Sequence, residues 1–178
     1  MSGRKTNATR YLDSLGIHYE IREYEVDPEE FSAVTVAEKV GLPAEQVFKT
    51  LLCVTSDRQH VFAIVPGDAE LDFRKLAAAA GTRKTEMVSL KDVQPLTGYV
   101  RGGVTVFGAK RDFPAYINET AELFDVISVS AGSRGVQVVL SPVDYLRAAK
   151  ATVADLTKES SERRSRITGE PERREKSR

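Results

Sequence analysis

"VFKTLLCVT", residues 47–55, decides how the chain is laid out. Its apolar side chains suit a strand packed into a core, and "HVFAIVP" at 60–66 follows after the polar turn "SDRQ", so the two read as a hairpin. Lys49 interrupts the apolar run. Two readings of it stand. It snorkels from the rim of a half-exposed strand, or its ammonium lines a pocket wall and meets a ligand anion or ester carbonyl.

Working towards the N-terminus, Ala8, Tyr11, Leu12 and Leu15 have helical spacing, with Thr6 or Asn7 as cap and Gly16 as stop. "IHYEIREYEV" at 17–26 alternates, with Ile17, Tyr19 and Ile21 on one face, which predicts a half-buried strand. "VDPEEFSA" is a loop, and a short helix follows with Thr35 and Glu38 at capping-box spacing and Gly41 at its end.

Towards the C-terminus, "LDFRKLAAAAG" is a helix capped by Asp72, and "KTEMVS" is a strand. "SLKDVQP" is a helical turn closed by Pro95. "DVISVSAGSRGVQVVLSP" holds two strands around a glycine turn. The last helix has Ser141 as cap and Pro142 at its first position, and Val143, Leu146, Ala149, Val153 and Leu156 form its apolar stripe. Locally paired strands and helices without strict alternation predict an α+β fold with a mixed, curved sheet.

The chain has 178 residues, the size of one domain with its own core, here expected over 1–157. Its formal net charge of zero hides an asymmetry: residues 158–178 carry eight Lys/Arg against five Asp/Glu. With Ile167 as its one clearly apolar residue, that segment is expected to be a disordered charged tail. A single cysteine, Cys53, excludes an internal disulfide framework and suits a reducing cytoplasm. No signal peptide or membrane-length apolar run is present, so neither a membrane nor a secreted setting is expected.

Much chemistry is excluded. His18 and His60 read as surface histidines, and neither sits beside a nucleophile. Cys53 is flanked by Leu51, Leu52 and Val54, where burial makes a thiol inert. No Cys/His cluster has metal-ligand spacing, and no Walker or dinucleotide fingerprint appears, so neither metal nor cofactor is expected. Three features remain: Lys49, the glycine-dense "GYVRGGVTVFG", and "SVSAGSRGVQ" with Ser130 at its strand end. The glycines either make tight turns and bulges or let backbone N–H groups approach a ligand.

Taken together, "QVFKTLL", "TGYVRGGVTVFGAK" and "VSAGSRGVQVVLSPVDYLRAA", with "YEVDP" after the first strand, resemble the YbaK family of aminoacyl-tRNA editing domains over roughly residues 5–157. The resemblance implies a mixed, barrel-like sheet flanked by helices, with a pocket between the lysine strand and two glycine loops. It implies hydrolysis of the ester joining a wrong amino acid to a tRNA, best known for cysteine on the proline tRNA. A sister branch clears alanine, and a non-catalytic module that binds aminoacyl-tRNA or a synthetase is the reading from another class. By this analogy Lys49 is the essential lysine. Tyr24 and Phe31 line the ligand, Gly102 and Gly103 form the backbone-contact loop, and Ser130 and Gly132 belong to the second loop. Thr105 and Val106 stand where the family usually has Ser-Pro, and Gln137 stands where some members carry an acid.

A lack of any nucleophile–base pair fits the cysteine-clearing branch, in which the substrate's own thiol attacks its carbonyl and the protein supplies position and charge. The implied partners are a misacylated tRNA and a prolyl-tRNA synthetase that contributes RNA affinity. Selection of this kind answers a real need, since a pocket separates small side chains by only about 1–3 kcal/mol per methylene.

Overall fold

The computed structural model describes residues 5–159. Helix α1 (Asn7–Ser14) is capped by Thr6, whose hydroxyl accepts from the Thr9 amide at 3.2 Å while Thr9 accepts in return from the Thr6 amide at 2.8 Å. Strand β1 (Glu20–Glu23) and helix α2 (Ala33–Val40) precede the central hairpin of β2 (Phe48–Thr55) and β3 (His60–Pro66). Next come α3 (Phe73–Ala80), β4 (Thr85–Met87), α4 (Leu90–Thr97) and β5 (Ala115–Asn118). The chain continues through β6 (Ile127–Ser133), β7 (Val136–Leu140), α5 (Pro142–Ala149) and β8 (Thr152–Ala154).

These strands form two sheets, β1-β7-β6 and β4-β2-β3-β5-β8. The larger is mixed: β2 pairs antiparallel with β3, while β3–β5 and β5–β8 are parallel. A parallel bridge between Val47 and Ser128 joins the sheets, giving a barrel-like wall that does not close. Alternation sorts the side chains. Phe48, Leu52, Phe62 and Ile64 face the main core with Ile127, Val129, Val138 and Leu140 of the smaller sheet. The opposite face, through Cys53, Val61, Ala63 and Val65, packs on Leu71, Leu76 and Leu156.

Several expectations change. The first strand is shorter than 17–26 and pairs only over Glu20–Glu23. Ser32, not Thr35, caps α2, accepting from the Thr35 amide at 3.3 Å. Pro95 lies inside α4 rather than closing it. The turn survives because Thr97 Oγ1 donates to the Val93 carbonyl at 2.7 Å and the Gly98 amide to the Gln94 carbonyl at 2.8 Å. His60 opens β3 and lies against Phe113, its ring 5.2 Å away, rather than in the turn.

The final helix stops at Lys150, which adopts a left-handed conformation with φ 50°. Val153 therefore belongs to β8 and Leu156 to the second core, and Val143 is 75% exposed. Pro142, Tyr145 and Ala148 are the buried residues of α5. Of the expected tail, Lys158 is docked through its amide to the Glu70 carbonyl at 2.9 Å, and 160–178 lie outside the described residues.

No helix of the described residues is long and apolar enough to cross a membrane.

Candidate functional site

The site arises where two strands part. At Val47 and Ser128 the strands run side by side in the same direction. Beyond that bridge β2 continues with β3 and β4, whereas β6 continues with β7. A cleft of about 870 Å³ opens in the gap, within the size range of small-molecule sites. Lys49 and Ser130, each two residues past the bridge, both line it.

The six consecutive residues 47–52 all line this cleft. Side chains alternate along a strand, so six in a row means that the cleft follows the strand's backbone edge. β4 covers that edge only at 53–55. The Thr55 amide donates to Gln59 and the Leu52 carbonyl accepts from Val88, so odd residues bond towards β3 and even residues point the other way. Thr50 thus turns its amide and carbonyl towards the cleft. Nothing in the composition of 47–55 signals this, because it depends on where β4 stops.

Lys49 is half-buried, and its Nζ donates to the Ala69 carbonyl at 2.8 Å. Burial holds its pKa below the ordinary lysine value, and the charges of Glu70 and Asp68 pull it partly back. The result is a cation fixed in position with N–H donors left over. It shares the cleft with Gly102, Ser130 and Phe31.

Those loops interlock. Gly102 has φ +88°, and a Cβ there would sit 3.0 Å from both Arg134 Nε and Phe31 Cδ2, so a side chain at this position would strain the backbone and press on both. Ser130 is followed by a bulge: it pairs with Gln137, and the register resumes at Ser133 with Val136. Inside the bulge the Gly132 amide donates to Ser130 Oγ at 3.1 Å, which orients the hydroxyl.

The remaining expected residues lie outside the lining. Tyr24 packs in the small cluster around Val36, Ala37, Val40 and Val47. Gly103 stands against the backbone of Ser133 and Arg134, and Gly132 against the Tyr99 ring. Thr105 is buried, and its Oγ1 accepts from the Phe107 amide at 3.3 Å, a side-chain turn where the family's proline would set the bend.

Two groups that the sequence reading did not place in the site do line it. Gln137 is buried, its Oε1 accepting from Ser128 Oγ at 2.9 Å. Arg101 stands at the mouth beside Gly102. Cys53 is fully buried, its thiol pushed up to about 12 by burial, and it takes no part in the lining. Among the described residues no His/Cys/Asp/Glu group has the arrangement to hold a metal.

Comparison with known proteins agrees with this architecture. The profile of the aminoacyl-tRNA editing domain matches residues 27–148. EbsC of Enterococcus faecalis is 40% identical over 154 residues, covering 86% of this chain and 94% of its own, and its name provisionally assigns it Cys-tRNA(Pro)/Cys-tRNA(Cys) deacylation. ProXp-y of Escherichia coli K12, named a multifunctional Ser/Thr-tRNA deacylase, is 32% identical over 119 residues, covering 65% of this chain and 71% of its own. A crystal structure described as a candidate trans-editing enzyme for prolyl tRNA synthetase superposes with a TM-score of 0.76 at 25% identity, covering 88% of this chain and 100% of that one.

Proposed function

The chain belongs to the aminoacyl-tRNA editing domain family, and from that premise we propose that it is a trans-acting deacylase of misacylated tRNA whose preferred substrate is cysteine esterified to the proline tRNA. One observation carries the reading: a partly desolvated ammonium, Lys49, lines one cleft with Gly102 and Ser130, and its Nζ is bonded to the Ala69 carbonyl while Ser130 Oγ accepts from the Gly132 amide, so the two are not joined as nucleophile and base. Such a site supplies charge and position. It suits a substrate that brings its own nucleophile.

In that reaction the cysteine sulfur attacks the ester carbonyl carbon, and the ester C–O bond breaks. The proton from the thiol ends on the ribose oxygen, and water then opens the cyclic thioester to free cysteine. Lys49 stabilises negative charge near the ester, while backbone N–H groups on the open β2 edge and around Gly102 hold the carbonyl oxygen. EbsC, with its provisional Cys-tRNA name and 40% identity, supports the choice of cysteine. A second reading, removal of serine or threonine, is favoured by the likeness to ProXp-y.

The roles of Tyr24, Gly103, Thr105 and Gly132 are, in this proposal, to shape the loops rather than to touch the substrate. A prolyl-tRNA synthetase is the expected companion, since the chain carries no net charge with which to hold a whole tRNA.

The test is ester loss from the proline tRNA charged with cysteine, alanine, serine, threonine or proline. Fastest loss of the cysteinyl ester, abolished in Lys49→Ala, is the expected result. Preference for serine or threonine installs the second reading, and preference for alanine removes thiol assistance. Binding without turnover of any ester leaves a non-catalytic module.

A further inference from the structure

At the mouth of the cleft the Arg134 guanidinium carbon lies 4.0 Å from the centroid of the Phe31 ring, and that of Arg101 lies 5.8 Å from it. Arg134 Nε donates to the Arg101 carbonyl at 2.8 Å, tying the second glycine loop to the first. Gly102 lets the two approach, because a Cβ there would press on Arg134 and Phe31 together. Phe31 thereby lines the cleft with a cation stacked on its ring.

Among the described residues, neither arginine is in an ion pair; the four that occur involve other groups. Glu29 and Glu30 belong to the same rim, but Glu30 Oε1 already accepts from Thr35 Oγ1 at 3.1 Å. Both guanidinium groups thus lie within 5.8 Å of the Phe31 centroid, one of them stacked, and neither is ion-paired among the described residues. With Nε spent on the Arg101 carbonyl, the terminal amino groups of Arg134 remain to donate. A planar fork of this kind matches a phosphate.

We propose that Arg134, with Arg101 beside it, clamps the phosphodiester on the 5′ side of the terminal nucleoside of the acceptor strand. The inference rests on the deacylase reading for its substrate class. The ester and that phosphate are attached to opposite ends of one ribose. A clamp at the mouth thus fixes the sugar while Lys49 and Ser130 face the carbonyl within the cleft. It binds charge, so it is blind to the amino acid, and it distinguishes an RNA end from a free amino-acid ester.

The experiment measures fluorescence anisotropy of the full chain with an uncharged acceptor-stem hairpin ending in CCA. A second hairpin carries one methylphosphonate in place of its last internucleotide phosphate. Wild type should bind the all-phosphate hairpin about 10-fold more tightly than the methylphosphonate one. Arg134→Gln should bind both equally, and the slope of its log affinity against log salt should be smaller by about 0.7.

Equal wild-type affinity for the two hairpins, or no measurable affinity at low salt, overturns the clamp. So does a hairpin lacking only its terminal base if it alone loses affinity, since the surface would then be a stacking platform. If the hairpins bind equally while deacylation is intact, the clamp fails alone. If they differ but no aminoacyl ester is hydrolysed, the deacylase reading fails and the clamp stands.

Discussion

Lys49 Nζ donates to the backbone carbonyl of Ala69 at 2.8 Å, so the charged end of a sheet residue is anchored by the loop after the neighbouring strand. The contact explains how a flexible side chain holds a fixed place. It also implies a stability cost, because the ammonium is partly withdrawn from water.

Lys49→Met should separate stability from activity. Deacylation should fall at least about 100-fold, the usual scale for removing a charge-stabilising group. The melting temperature should rise or hold, because an apolar side chain replaces a desolvated cation. Activity within a few-fold of wild type would take Lys49 out of the chemistry.

The pH profile should carry the same signature. Burial lowers the folded-state pKa of Lys49, so between that value and the ordinary 10.5 the unfolded chain binds the extra proton. Stability therefore rises with pH across that window, while an activity that needs the ammonium falls through it. Deacylation rates, corrected for spontaneous ester loss, should show a basic limb below 10.5. Lys49→Arg, charged throughout, should lose that limb if it retains activity. A limb unchanged in an active arginine variant belongs to another group.

Gly132→Ala should be markedly destabilising. Gly132 has φ +93°, and a Cβ would lie 2.7 Å from Tyr99 Cε1. The Tyr99 ring has little room to yield, since its hydroxyl donates to the Phe107 carbonyl at 2.6 Å. Gly16→Ala is the control, with φ +67° and nothing within 4 Å of its Cβ. Urea unfolding should give a cost of about 1 kcal/mol for the control, from backbone strain, and about 2 kcal/mol or more for Gly132. Equal costs would mean that the ring moves freely.

Tyr145→Phe should be neutral or stabilising by about 1 kcal/mol, because the Tyr145 hydroxyl is fully buried without a partner in α5. Thermal unfolding would show it. A loss of stability would mean that a buried water serves the hydroxyl.

The hairpin, the Asp72 and Ser141 caps and the two glycine loops were legible because each has a local cause: alternation, a side-chain oxygen before a helix, or a turn that needs glycine. The helix ending at Lys150 was not. Its apolar spacing continues through Val153 and Leu156, and the left-handed residue that breaks it is neither glycine nor proline. The position of Lys49 on the site's wall was legible as an anomaly in an apolar strand. Gln137 and the arginine pair were not, since each gains its meaning from strands or loops distant in sequence. The one available signal was Arg134 itself, a long charged side chain between two glycines of a tight turn.

The joint between Val47 and Ser128 has a further consequence. It works as the crotch of a fork whose tines carry Lys49 and Ser130, and Val47 and Ser128 are both buried there. Changing the bulk beneath that crotch would spread or narrow the tines, and with them the width of the cleft. Selectivity in such a scaffold can drift through residues that never meet the substrate.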